Sequence, residues 1–172
     1  VPFEEAASFA SGSAFPNNEQ GDADGTIPFI KVSDMNILGN EIRIITANNR
    51  VTEEGLKRLK ARTWPAGTVV FPKVGAALLT EKRRVLSEPT AFDNNIMGII
   101  ARDGVVTPDF LFAFMRSVRL GQFAQIGAVP SINQGHLKAL SLPKLSMDEQ
   151  RAIGAEMHAL DSVAAAYSLA VE

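Results

Sequence analysis

The chain has 172 residues, 46% of them hydrophobic and 21% charged, and its 17 basic and 19 acidic side chains give a formal net charge of -2. That length suits one ordinary domain that buries most of its apolar surface without staples. The lack of cysteine excludes disulfides and thiolate metal sites, and no uncharged apolar run approaches the ~18 residues of a membrane span. With no secretory-type apolar stretch before Glu4 and Glu5, a cytoplasmic protein is expected. The total charge hides a distribution. Residues 25–144 carry 16 basic against 9 acidic side chains, whereas residues 1–24 and 145–172 are acidic. A basic centre between acidic ends fits a phosphate-binding surface or ordinary charge scatter.

Val1–Ala10 predicts a strand and a short helical turn, and Ser11–Gly25, with Pro16 inside it, a polar loop. Ile27–Val32 reads as a strand whose Pro28 suits a start or an edge, with Ser33-Asp34 capping a single turn that ends at Gly39. Glu41–Thr46 alternates as another strand, and Thr52 opens a helix that runs to about Arg62, weakened by Gly55. After the turn Pro65-Ala66-Gly67, strands are expected at Thr68–Phe71, Ala76–Thr80 and Asn95–Ala101, with Glu81–Arg84 a charged connection. Thr107-Pro108 places an N-cap before proline at the first helical position, and Leu111, Phe112, Met115 and Val118 continue at helical spacing. Gly121–Ile126 reads as a short helix, Gly127–Gly135 as a loop, and His136–Leu142 as extended chain ended by Pro143. Ser146 and Glu149 form a capping box. Beyond them Ile153, Met157, Leu160, Ala164, Tyr167 and Val171 recur at steps of 4 and 3, the seam of a coiled coil or one face of a docked terminal helix. The sum is an α+β fold: a mainly β body over residues 1–145 with flanking helices, then a long helix over 146–172.

Catalytic constellations are missing. His136 and His158 have no metal-ligand spacing between them, and neither GxxxxGK[ST], GxGxxG nor GxSxG occurs. The acid pairs Glu53-Glu54 and Asp148-Glu149 fall in first helical turns, where the helix dipole favours them. A nuclease-like cluster can be drawn loosely from Glu81, Lys82, Glu88 and Asp93, but a charged connection between strands already accounts for it. No catalytic residue, metal or cofactor is expected.

The loops carry hydrogen-bonding and cationic groups instead. Lys31, Lys73, Lys82, Arg83 and Arg84 suit phosphates, as do Lys57, Arg58, Lys60 and Arg62, which serve equally as a solvated helix face. Asn94, Asn95, Ser131, Asn133, Gln134 and His136 carry groups for base edges, since asparagine or glutamine bonds adenine at N6 and N7. Each also has a structural use: Asn94-Asn95 as a turn, Asn133 as a cap. Trp64 and Phe110–Phe114 read as core.

In order, Ser11–Phe15 (SGSAF), Ile27–Met35 (IPFIKVSDM), Pro65–Phe71 (PAGTVVF), Lys73–Gly75 (KVG), Asp93–Ile96 (DNNI), Pro130–Leu137 (PSINQGHL) and Leu142–Ile153 (LPKLSMDEQRAI) resemble a Type I restriction-modification specificity subunit over nearly the whole chain. The resemblance implies a non-catalytic target recognition domain at 1–145 and the beginning of a spacer helix at 146–172. Such subunits hold two recognition domains apart by paired long helices, so the implied partners are double-stranded DNA, methyltransferase and restriction motor subunits, and a second recognition domain or a second copy. It implies no cofactor, since S-adenosylmethionine and ATP belong to the other subunits. Two further readings stay open: the recognition domain of a single-chain restriction-modification enzyme, and a protein-interaction module docking through its terminal helix.

Overall fold

In the computed structural model, residues 1–125 and 127–171 are described. Two sheets and five α-helices are present among the described residues. The larger sheet has the order β1-β8-β5-β6-β3 and the smaller β4-β2-β7; the strands are β1 (Ala7–Ser11), β2 (Ile27–Ile30), β3 (Arg43–Ile44), β4 (Arg50–Val51), β5 (Val69–Pro72), β6 (Arg84–Leu86), β7 (Ala91–Phe92) and β8 (Ile96–Ala101). Neighbours run antiparallel except in the β3–β6 and β2–β7 pairs. The helices are α1 (Phe3–Ala6), α2 (Glu53–Arg58), α3 (Pro108–Ser117), α4 (Gln134–Lys138) and α5 (Met147–Val171).

The continuous apolar run of β5 follows from burial on both faces. Val69 and Phe71 join Leu111 and Met115 of α3 in one core cluster, whereas Val70 joins Ile30 and Phe92 of the smaller sheet in another. Strand β8 alternates likewise, with Met97 and Ile99 on the α3 side and Ile96 on the other. Gly98 lies where a Cβ would come within 2.9 Å of the Phe92 ring, so the sheets close only on a glycine there. A third cluster of Phe29, Val51 and Ala91 lies under Leu56 and Leu59 at α2. The mainly β body with flanking helices expected from the sequence is therefore present, as is the long C-terminal helix.

Several local expectations fail for identifiable reasons. Ala76–Thr80 is not a strand: Gly75 at φ 72° turns the chain out of β5, and Leu78–Thr80 closes a single 3-10 turn. The strand predicted over Glu41–Thr46 shrinks to two residues, because the Asn40 side-chain oxygen takes the Ile45 and Thr46 amides that would extend the ladder. The cap expected at Ser33-Asp34 moves forward: Asp34 accepts the Lys31 amide at 2.7 Å, and the 3-10 turn spans Val32–Asn36. Helix α2 stops at Arg58, short of Arg62. Arg84, placed in a connection, opens β6. His136–Leu142 is helical at its start, since Asn133 caps α4 by accepting the His136 amide at 3.2 Å. Leu120–Phe123 forms the short helical turn expected near Gly121, and Ile126, its expected end, lies outside the described residues.

Candidate nucleic-acid interface

Where β1 ends, the chain crosses from the larger sheet to the smaller. The Ser13 amide donates to Phe92 O at 2.9 Å, and Gly12 passes so close to Asp93 that a Cβ would come within 1.8 Å of its carbonyl oxygen. The turn from β7 to β8 is thereby fixed against β1. Within that turn the Asp93 carboxylate accepts the Asn95 amide at 3.0 Å, while Asn94 and Asn95 stand exposed. Burial raises the Asp93 carboxyl above its ordinary value, with the Asn95 amide and Lys31 pulling the other way.

Lys73, just after β5, donates its amide to Asn95 O at 2.9 Å and accepts the Ile132 amide at 2.9 Å. That second bond brings the 131–138 segment alongside. A recess of about 120 Å3 results, lined by Ser11, Lys73, Met97, Asn133 and Gln134 among others. The structure therefore gathers Lys73, Asn94, Asn95, Ser131, Asn133, Gln134 and His136 at one end of the larger sheet, with Lys31 beside Asp93. Not all are equally free. Asn133 and His136 cap one another, the Asn133 amide donating to His136 Nδ1 at 3.2 Å, and the Asn95 side chain folds back on Asp93. Among the described residues, the side chains of Lys73, Asn94 and Gln134 have no hydrogen-bond or ion-pair partner.

The Lys82-Arg83-Arg84 run lies elsewhere, and most of it is engaged. Arg83 is 6% exposed; it pairs with Glu81 at 2.8 Å and also donates to the Val118 carbonyl. Arg84 donates to Met35 O at 2.9 Å and Lys82 to the Asn36 side chain, so both fasten the 3-10 turn that follows β2. Desolvation lowers the pKa of both arginines, the cost of burying charge that these bonds offset. The acids of the nuclease-like cluster are dispersed: Glu81 binds the Leu120 and Gly121 amides, Glu88 pairs with Arg50, and Asp93 is buried in its turn.

Two neighbours of the recess were not among the expected contacts: Ser11, and Trp64, which reads as core and packs partly buried against the second cluster. Ser11 lines the recess, and its carbonyl accepts the Trp64 Nε1–H at 3.1 Å. Trp64 carries the Arg62 guanidinium 4.2 Å over its ring.

Helix α5 is built onto this body. Ser146 and Glu149 make the expected reciprocal cap, at 2.7 Å from the Ser146 amide and 3.3 Å from the Glu149 amide. The buried Gln150 accepts the Thr107 amide at the start of α3 and donates to Val105 O and Leu145 O. At Gly154 the helices approach so closely that a Cβ would lie 2.8 Å from that of Asp109. Arg116 of α3 holds Asp161 in both carboxylate oxygens at 2.8 Å. Past Asp161 the apolar residues Val163 and Tyr167 are exposed, as is Leu160 just before it.

No helix among the described residues is long and apolar enough to cross a membrane. The chain resembles three solved structures in fold. One is a chain of a type I R-M system, studied for its complex assembly and conformational transition (TM-score 0.75, 14% identity, 99% of this chain and 40% of that one). Another is the HsdS subunit from Thermoanaerobacter tengcongensis (TM-score 0.70, 14% identity, 99% and 38%). The third is the type I restriction-modification S subunit from M. genitalium (TM-score 0.65, 11% identity, 94% and 38%). This chain spans about two-fifths of their length. The family model of the Type I restriction modification DNA specificity domain matches residues 4–166. Since that match takes in both sheets, the recess and most of α5, the chain belongs to the Type I restriction modification DNA specificity domain family.

Proposed function

We propose that this chain reads one half of a split duplex target, as a recognition domain that directs methyltransferase and restriction subunits to the site without catalysing a reaction itself. What carries the reading is the convergence, in a chain of this family, of Lys73, Asn94 and Gln134 at one sheet end with their polar groups unspent. An asparagine or glutamine amide pairs both donor and acceptor with adenine N6 and N7, and a lysine beside it neutralises a phosphate. Asn133, Ser131 and His136 shape the loop that presents Gln134, and Lys31 adds charge at its flank. Acting on DNA agrees with a cytoplasmic location.

A second part of the reading concerns α5. Its exposed Leu160, Val163 and Tyr167 pair with another long helix, from a second recognition domain or a second copy, and so set the spacing between half-sites. Leu160→Glu with Tyr167→Glu is expected to leave the body folded and abolish self-association in sedimentation; a dimer that survives both changes removes this part.

The DNA reading is tested by fluorescence anisotropy with duplex DNA at several salt concentrations. Affinity is expected to fall steeply with salt. Lys73→Ala is expected to weaken binding to all sequences, whereas Gln134→Ala or Asn94→Ala relaxes preference at one position by about 1–3 kcal/mol. Methylome sequencing of a host carrying the intact system reads the same change as a degenerate base in the methylated motif. Binding indifferent to salt and to all three substitutions would leave the protein-interaction reading in its place.

A further inference from the structure

The end of α2 is unusual in its backbone. The Ala61 amide donates to Leu56 O at 2.9 Å and the Lys60 amide to Lys57 O at 3.1 Å, the paired bonds of a Schellman ending. In that motif the residue at the Lys60 position is left-handed and is ordinarily glycine, because a Cβ clashes there. Lys60 holds φ 51° with a full side chain.

Only one other non-glycine residue among those described has positive φ: Glu81, at 57°. Its side chain explains its presence, since the carboxylate binds Leu120 N, Gly121 N and Arg83. Lys60 has no such return. It is exposed, and among the described residues its ammonium has no hydrogen bond or ion pair. A residue in the left-handed region whose charged group is spent on no partner within the fold points to a use outside it.

The surroundings name the ligand chemistry. Arg58 is neutralised by Glu19, with bonds of 3.0 and 2.6 Å, but Lys57, Lys60 and Arg62 have no acidic partner among the described residues. Arg62 is held over Trp64, and Trp64 is tied through Ser11 O to the wall of the recess that carries Lys73 and Gln134. Of these three unneutralised cations, Arg62 is thus tied to the recess, and Lys60 precedes it closely in the chain. We infer that Lys60, with Lys57 and Arg62 beside it, is a contact for the duplex backbone phosphates flanking the bases read at the recess. This rests on the DNA-reading function proposed above. An acidic protein surface would be the competing occupant.

The test uses the intact chain, a labelled mixed-sequence duplex, and the variants Lys60→Gly, Lys60→Arg and Lys73→Ala. A phosphate contact is independent of sequence, so no knowledge of the target is needed. Lys60→Gly relieves the left-handed strain, so its Tm is expected to be no lower than that of the parent and up to about 2–4 °C higher. Its DNA affinity is expected to fall several-fold, with the log–log salt slope shallower by about 0.9, while Lys60→Arg keeps affinity and slope. Stability and binding then move in opposite directions, which a purely structural role does not produce. Unchanged binding in Lys60→Gly while Lys73→Ala weakens it overturns this inference alone, and so does a drop in Tm. If the parent chain itself shows no salt-dependent DNA binding, the DNA reading falls and this inference with it.

Discussion

Glu81 and Arg83 illustrate how two charged residues in a basic run serve the fold. The Glu81 carboxylate is partly desolvated, which raises its pKa, but the Gly121 and Leu120 amides and the Arg83 guanidinium outweigh burial and hold it below the ordinary 4.5. A carboxyl whose folded pKa is depressed stabilises the fold fully above its unfolded value, and that stability is lost as pH falls through the lower, folded value. Urea midpoints are therefore expected to drop as pH falls below about 4.5, and Glu81→Gln should flatten this dependence; an unaltered acid limb would show that other carboxylates set it. Glu81→Ala goes further, since it leaves a buried guanidinium without its counter-ion and two amides without an acceptor. It should cost about 2–4 kcal/mol in chemical denaturation, the partial exposure of Glu81 keeping the loss below that of a fully buried pair. Gly12 makes the same point in backbone terms. With a Cβ 1.8 Å from Asp93 O, Gly12→Ala must push β1 off the Asp93 turn, for about 1–3 kcal/mol of stability and a disordered recess.

At the scale of elements, what was legible in the sequence was what is encoded locally. Thr107 before Pro108 and the Ser146–Glu149 box fix helix starts by side chains within four residues of the amides they cap, and both helices begin there. The body strands Val69–Pro72 and Ile96–Ala101 were legible because both their faces are buried. What was not legible depends on unusual local caps or on distant partners. The short β3 is decided by Asn40, the helical start of His136–Leu142 by a cap that uses histidine in place of the usual glutamate, and the structural place of Arg83 and Arg84 by carbonyls 35 and 49 residues away. The candidate surface shares this division: loop position and amide chemistry singled out Asn133 and Gln134, but nothing in the sequence marks Lys60 as left-handed. Gln150 is the tie that makes α5 part of the body. Gln150→Ala leaves the Thr107 amide and two carbonyls unpaired in a buried setting, so a loss of about 2–3 kcal/mol is expected. If that variant unfolds at the parent's denaturant midpoint, α5 is not anchored through this side chain.

For the whole molecule, the helix that leaves the body divides into two lengths with different physics. From Gln150 to Asp161 it is held by a buried amide network, a close approach at Gly154 and an Arg116–Asp161 ion pair, so its backbone opens only when α3 lets go. Beyond Asp161 the described side chains, Val163 and Tyr167 among them, are exposed, and a few helical turns that bury little apolar surface are marginal in water. The residues that open the seam, Ile153 and Met157, are half-buried, Ile153 against the main core cluster, whereas the stripe of Leu160, Val163 and Tyr167 is exposed. Hydrogen exchange should therefore be graded along α5. Amides of residues 150–161 are expected to be protected at every protein concentration, whereas those of residues 163–170 should exchange rapidly when dilute and gain protection as concentration rises and the stripe is covered. Protection of the distal turns that is already complete in dilute protein would mean that the helix is stabilised from within the chain, and the pairing of long helices would lose its physical basis.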